Sequence, residues 1–273
     1  MIKIQMQNVS IGYSHKTVLR DITLQVLPGQ MVGLIGPNGS GKSTIIRALT
    51  RVIPLYRGQI LLGDKNVSHI PRQQLARLLG VVPQVPLLPS AFTAFEVVLM
   101  GRHPHLGLFQ RESQREMDIT LRAMEQTMTR HLAARRIGEL SGGEIQCLLI
   151  ARALVQETQA ILLDEPTANL DIGRQIEILN LIKRLCREKN IAVLAALHDL
   201  NLAAQYCDRL VLINNGTVRA HGTPSEVITA ANIKEVYGAE GCVYTHPANG
   251  LPAVLINPEN ARLFNRESPK GDT

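Results

Sequence analysis

The sequence predicts an α/β fold with a mainly parallel sheet, helices on both faces and an all-helical insert in its middle. Three observations carry this. The fully apolar run "MVGLI" leads into a Gly-rich loop and then a helix, "KSTIIRALT". After residue 155 strands and helices alternate: strand "AILLD", helix 173–187, strand "IAVLAAL", helix 200–206, strand "RLVLIN". From 85 to about 155 the pattern is helical only. A chain of 273 residues has room for one large α/β domain or two small ones.

Taken in order, the first thirty residues read as short strands with turns, and Ile22, Leu24 and Val26 alternate with polar neighbours. Another strand, "GQILLG", covers 58–63, a helical stretch lies near 71–78, and the strand-like "GVVPQ" ends at Gln84. Inside the insert, Thr93-x-x-Glu96 and Ser113-x-x-Glu116 are capping boxes that open helices. Met117, Leu121, Met124 and Met128 recur at helical spacing and read as one apolar stripe facing the core. Ser141 to Leu154 is the third helix of the insert, opened by a further box, Ser141-x-x-Glu144. "NNG" at 214–216 marks a hairpin turn into "TVRAHG". The last thirty residues, rich in Pro, Asn and Gly, read as a loosely attached tail.

Composition narrows the function classes. Hydrophobic residues make up 45% and charged residues 19%, as in a folded soluble protein. Aromatics are only 3% and Trp is absent, which argues against base-stacking platforms and hence against a nucleic-acid partner. The net charge of +6 comes from dispersed Lys and Arg rather than one basic run. Cys147, Cys186, Cys207 and Cys242 show no C-x-x-C spacing and read as reduced, half-buried thiols of a cytosolic protein. "MIKIQMQNVS" lacks the pattern of a secretory signal, and no apolar run approaches the length of a membrane-spanning helix. Any membrane role is therefore expected to come through a partner.

The chemistry concentrates in a few short stretches. Gly36-Pro37-Asn38-Gly39-Ser40-Gly41-Lys42-Ser43, followed by Thr44, fits G-x-x-x-x-G-K-[ST] after a strand and at the start of a helix. Glycines there let backbone N–H groups approach phosphates, Lys42 supplies positive charge to the β- and γ-phosphates, and the Ser43 hydroxyl suits Mg²⁺. "ILLDE" ends a buried strand at Asp164, which suits a direct or outer-sphere Mg²⁺ contact. Glu165 follows, its side chain expected to point the other way if strand geometry persists. It is the candidate general base for water attacking the γ-phosphate. His198 ends "AVLAALH" and is assigned to the γ-phosphate; Gln84, an amide at a strand end, is placed to orient water or touch Mg²⁺. Tyr13 is placed to stack on the adenine ring. His103 and His105 straddle a Pro with no acid or Cys nearby and read as a surface loop, not a metal site.

A second anion cradle is present. Ser141, Gly142 and Gly143 open a helix about a hundred residues after the phosphate loop. With a phosphate loop, "LLDE", "LSGGE", Gln84, "TANLD" and His198 in place, the chain resembles an ABC-type ATPase from residue 3 to about 240. That resemblance implies a P-loop ATPase domain over 3–240 with an N-terminal antiparallel β subdomain, a helical subdomain at about 85–155, and a tail over 241–273. It implies ATP and Mg²⁺ as ligands and a head-to-tail dimer with a second copy. In that dimer Ser141–Gly143 cap the ATP held by the other chain, and Asp171 of "TANLD" runs between the two sites.

"GRHPHLGLF" and "LHDLNLAAQYCDRLVLINNGTVRAHGTPSEVI" are similar to the subfamily that energises import of iron chelates, haem and cobalamin, a pattern that importers of other metals or oxyanions share in large part. The implied setting is the cytoplasmic face of the cell membrane, with polytopic permease subunits as partners and an external binding protein delivering the chelate. Soluble ABC ATPases acting on nucleic acid, ribosomes or cluster assembly are the alternative; the duplicated domains, long coiled-coil inserts or basic tails they tend to carry are absent here. Cys147 departs from the pattern, standing where the family usually has Arg or Lys.

Overall fold

The computed structural model describes residues 2–13, 16–84, 88–107, 110–238 and 241–256. The chain opens with β1 (Ile4–Tyr13) and β2 (Lys16–Val26), then β3 (Met31–Ile35), α1 (Lys42–Leu49), β4 (Leu55–Leu62) and β5 (Lys65–Asn66). Next come α2 (Arg72–Leu78), β6 (Leu79–Val82) and the insert helices α3 (Ala94–Leu99), α4 (Gln114–Gln126) and α5 (Gly142–Leu154). The second half runs β7 (Ala160–Asp164), α6 (Ile172–Glu188), β8 (Ala192–Ala196), α7 (Leu200–Tyr206), β9 (Arg209–Asn214) and β10 (Thr217–Gly222). It closes with α8 (Pro224–Val227), α9 (Ala230–Tyr237), β11 (Gly241–Thr245) and β12 (Pro252–Ile256).

Two sheets carry the architecture. The larger has the order β10-β9-β3-β8-β7-β6, parallel except for the β9–β10 hairpin. The smaller, β2-β1-β4-β5, is antiparallel. β3, β7 and β8 are buried at every position, because both faces of the parallel sheet are covered. Their two-residue period divides them between two cores. Val32, Leu34, Leu162, Leu194 and Ala196 face α1 and the antiparallel sheet. Met31, Ile35, Ile161, Leu163, Val193 and Ala195 face a second cluster that continues without a break into Val97, Met124 and Leu148 of the insert.

Three readings change. The inward face of α4 is Ile119, Ala123 and Met124, with Thr120 and Thr127 beside them, rather than the methionine stripe. Met117 and Leu121 are half-buried, and Met128 is 62% exposed. The helix ends at Gln126, and Met128, at φ +58°, turns away. The two threonines are buried cheaply, since their hydroxyls donate to the carbonyls of Glu116 and Ala123 at 2.8 and 3.1 Å. The described part of the supposed tail, 241–256, is a docked hairpin in which Val243 and Val254 pack on the main core. Finally, the surface loop expected at His103 and His105 is a 3₁₀ turn with His103 exposed: Pro104 O accepts from Gln73 and Arg77 of α2, and His105 Nε2 meets Gln156 O at 2.8 Å. Among the described residues no cluster of acids, His and Cys could hold a metal. No helix among them is long and apolar enough to cross a membrane.

Capping boxes open α3, α4, α5 and α8, each with a glutamate reaching back to its cap residue. Hydrogen bonds from Thr93, Ser113, Ser141 and Thr223 hold Glu96, Glu116, Glu144 and Glu226 below the usual carboxylate range. A folded-state pKa below the unfolded one stabilises fully above the unfolded value, and the gain is lost as pH falls through the folded value. The melting temperature should therefore drop on acidification below about pH 4. Glu96→Gln with Glu226→Gln should flatten that drop, as read by thermal unfolding across the acid range.

Candidate active site

Four neighbouring parallel strands, β3, β8, β7 and β6, end at one edge of the sheet, and the predicted residues follow directly from those ends. β3 feeds the phosphate loop 36–44. β8 leads to His198, β7 ends on Asp164 and Glu165, and β6 leads to Gln84. This is the consequence of a parallel register: every strand exits on the same side.

The loop is shaped by contacts that only glycine permits. Gly36 has φ +147°, and a Cβ there would meet Ile213 O at 2.2 Å; Gly41 has φ +110°, and a Cβ would meet Leu19 Cδ2 at 2.4 Å. Lys42 is buried, its Nζ donating to the carbonyls of Gly36 and Pro37 at 2.8 and 3.0 Å. Burial pushes this ammonium below the usual lysine range, against the opposing pull of Glu165 and Asp164. Ser40 Oγ is buried without a hydrogen-bond partner among the described residues.

Ser43 Oγ donates to Asp164 Oδ1 at 2.8 Å. An alcohol and a carboxylate at the loop's end are the hard oxygen donors that Mg²⁺ prefers, so the residues present fit that ion. Glu165 does not keep strand geometry. Its φ is +52°, a left-handed conformation for a non-glycine residue, and its N–H donates to Ala196 O at 3.2 Å. The expected divergence from Asp164 is therefore replaced by convergence. Glu165 shares a cleft of ≈ 150 Å³ with Asn38, Gly39, Gly41, Lys42, Ser43, Thr44 and Val18. Its carboxylate accepts from Gln84 Nε2 on one side and pairs with His198 Nε2 on the other. Gln84, Glu165 and His198 thus form one polar row above the phosphate loop.

The second cradle lies elsewhere. Ser141 caps α5, its Oγ donating to Glu144 Oε2 at 2.7 Å, and no residue of 141–143 lines the phosphate-loop cleft. Gly143 lies against Arg174, whose Cδ would be 3.3 Å from a Cβ there. Asp171 caps α6, accepting from Arg174 N at 3.0 Å. Cys147 sits half-buried beside the second cluster, its thiol pushed up to about 11 by burial. Tyr13 is the last residue of β1; its side chain lies outside the described residues.

Two contributors escape sequence reasoning. Val18 of β2 walls the cleft, and only its strand position hints at this. Tyr237, last in α9, buries its hydroxyl behind the loop. Burial pushes the phenol up to about 12, with a smaller downward pull from Gly36 N–H. No local pattern links residues two hundred positions apart.

The profile of the ABC transporter family matches residues 19–168. The chain belongs to that family. Members are ATP-binding cassettes, ATPases coupled to transport. The cassette is 37% identical over 249 residues to the ferric enterobactin transport ATP-binding protein FepC of Escherichia coli (strain K12), covering 91% of this chain and 92% of that one. It is 39% identical over 256 residues to the hemin import ATP-binding protein HmuV of Hahella chejuensis (strain KCTC 2396), covering 91% and 98%. Among solved structures it is similar to the ADP conformation of MJ1267, an ATP-binding cassette of an ABC transporter. The TM-score is 0.78 at 25% identity, with 87% of this chain and 98% of that one covered.

Gly41→Ala should test the loop. The left-handed conformation alone costs about 1–3 kcal/mol in a non-glycine residue, and the clash with Leu19 adds to it. The variant should unfold at lower denaturant and fail to retain ATP, measured by chemical unfolding and equilibrium nucleotide binding.

Proposed function

We propose that this cassette is the ATP-hydrolysing subunit of a membrane importer for an iron chelate, haem or cobalamin, acting at the cytoplasmic face of the cell membrane. The observation that carries its hydrolytic role is Glu165, held between Gln84 and His198 above the phosphate loop. The import role and cargo class rest on the likeness to FepC and HmuV.

In this reading the backbone N–H groups of 36–44 cradle the phosphates, and Lys42 exchanges the Gly36 and Pro37 carbonyls for phosphate oxygens. Tyr13 stacks on the adenine ring. Ser43 and Asp164 hold Mg²⁺, with Gln84 beside them, and the ion neutralises charge on the phosphates when bound. Glu165 takes the proton from the attacking water, and His198 holds the γ-phosphate side of the site. The Ser141–Gly143 start of α5 serves the nucleotide of a second copy, and Asp171 lies between the two sites. Support for that shared arrangement is that the α5 start lies outside the cassette's own cleft.

The membrane partner has a candidate seat. A groove of ≈ 670 Å³ runs between Thr50–Val52, α2, the end of β6 and Arg152–Gln156 at the end of α5. Val52, 71% exposed, offers it an apolar edge, and Arg51, Arg72 and Arg152 add positive charge. A polytopic permease docked there touches both the nucleotide core and the insert. An external binding protein would deliver the chelate to that permease.

Glu165→Gln should bind ATP yet hydrolyse it about 100-fold more slowly or worse, since an amide cannot take the proton. An ATP-bound dimer should then survive gel filtration; hydrolysis at the native rate would remove Glu165 from the mechanism. The shared site has its own test in purified, differently tagged heterodimers. A Lys42→Ala chain paired with a Ser141→Arg chain leaves one composite site whole and should trap ATP. Both lesions on one chain, paired with wild type, damage each composite site and should not. Sites complete within one chain give the reverse.

A further inference from the structure

We propose that the C-terminal hairpin β11–β12 positions His198 for turnover, acting through Asn201 of α7; this rests on the role given above to His198. His198 hangs between two supports. On one side Leu197 N–H donates to Leu34 O at 3.0 Å, which fixes the chain to β3. On the other, Asp199 caps α7, its Oδ1 accepting from Leu202 N at 2.9 Å. Any shift of α7 is passed to His198 through a single intervening residue.

α7 is short, and its apolar packing does not by itself set its register beside His198. It has seven residues: Ala203 and Ala204 are fully buried, and Leu200, Leu202 and Tyr206 are half-buried against the main core. Polar bonds add a directional hold. Lys183 Nζ donates to Tyr206 O at 2.7 Å at the far end. Near His198 the hold comes from the hairpin. Asn201 Oδ1 accepts from Val254 N at 2.7 Å, and Asn201 Nδ2 donates to Val254 O at 3.2 Å, so the amide pairs with the edge of β12 as a neighbouring strand would. One turn on, Gln205 Oε1 accepts from Asn249 Nδ2 at the hairpin's turn. The hairpin is a fixed reference for α7, because Val243 and Val254 are packed against the main core and paired in register.

Placement matters at this site because a displacement near 1 Å costs about 100-fold in rate. Asn201→Ala leaves the phosphate loop untouched, so in the full-length protein it should lower kcat about 10-fold with KM for ATP within about twofold. Combined with His198→Ala it should lower kcat no further than His198→Ala alone. Tyr244→Ser, on the exposed outer face of the hairpin, should leave both constants unchanged.

The alternatives separate cleanly. Losses that multiply in the double variant, kcat and KM moving together, or an equal loss in Tyr244→Ser make the hairpin merely structural and overturn the proposal. Wild-type turnover in Asn201→Ala with slow His198→Ala overturns the clamp alone. Wild-type turnover in His198→Ala overturns the role of His198 itself. If Asn201→Ala does not fold, Asn201→Asp replaces it with the same criteria: it keeps an acceptor for Val254 N–H and faces the Val254 carbonyl with a second acceptor.

Discussion

The left-handed turn at Glu165 is the constraint on which the polar row above the phosphate loop rests. Strand alternation alone would send the side chain after Asp164 to the opposite face of the sheet. A φ of +52° reverses that and brings Glu165 back over the phosphate loop. A non-glycine residue in this conformation stores about 1–3 kcal/mol, which the surroundings must offset. They do so through the parallel pairing of Asp164 with Ala196 and the bond from Glu165 N–H to Ala196 O. Both strands are buried throughout, so the turn cannot relax without disturbing two cores.

Charge balance at the strand ends follows from the same geometry. Lys42 is buried and would be costly alone, yet Glu165 and Asp164 lie close enough to favour its charged form. Opposite them, at the start of β3, Asp208 accepts from Met31 N at 2.7 Å while Lys183 and Arg187 of α6 pair with it. The strand that feeds the phosphate loop is thereby held at its entry by a charged network. At its exit, the Tyr237 hydroxyl and the Ile213 carbonyl crowd Gly36.

What could be read from sequence was whatever depends on near neighbours. The phosphate loop, the acid pair 164–165, the capping boxes and the "NNG" turn each need only a few consecutive residues, and each was legible. The alternation of strands and helices also gave the parallel sheet, because fully apolar strands require cover on both faces. The direction of Glu165 was not legible, since it depends on a bond to a strand thirty residues further on. The face of α4 is not legible because threonines that satisfy their own hydroxyls can replace apolar residues in a core. The docked hairpin is not legible because its apolar anchors, Val243 and Val254, are single residues in short strands and its other anchors are amide bonds to α7, which no hydrophobic pattern reports. Tyr237 behind Gly36 is not legible because no local pattern links residues so far apart in sequence.

The contrast between apolar and polar contacts bears on how the cassette would transmit a signal. The insert shares one uninterrupted apolar cluster with the main sheet, so its separation would expose core surface and is unfavourable. Its polar links to the nucleotide core are of another kind. Gln84, just before the insert begins, touches Glu165; at the other end of the same strands Arg102 pairs with Glu157 at 2.9 Å and the Pro104 carbonyl takes donors from α2. Hydrogen bonds of this sort contribute about 0.5–1.5 kcal/mol each and can be exchanged for bonds to a phosphate or a water. In the proposed function, a bound nucleotide would therefore act on the polar row above the loop and leave the shared core intact. A partner docked in the groove lined by Thr50–Val52, α2 and the end of α5 would lie across both the nucleotide core and the insert.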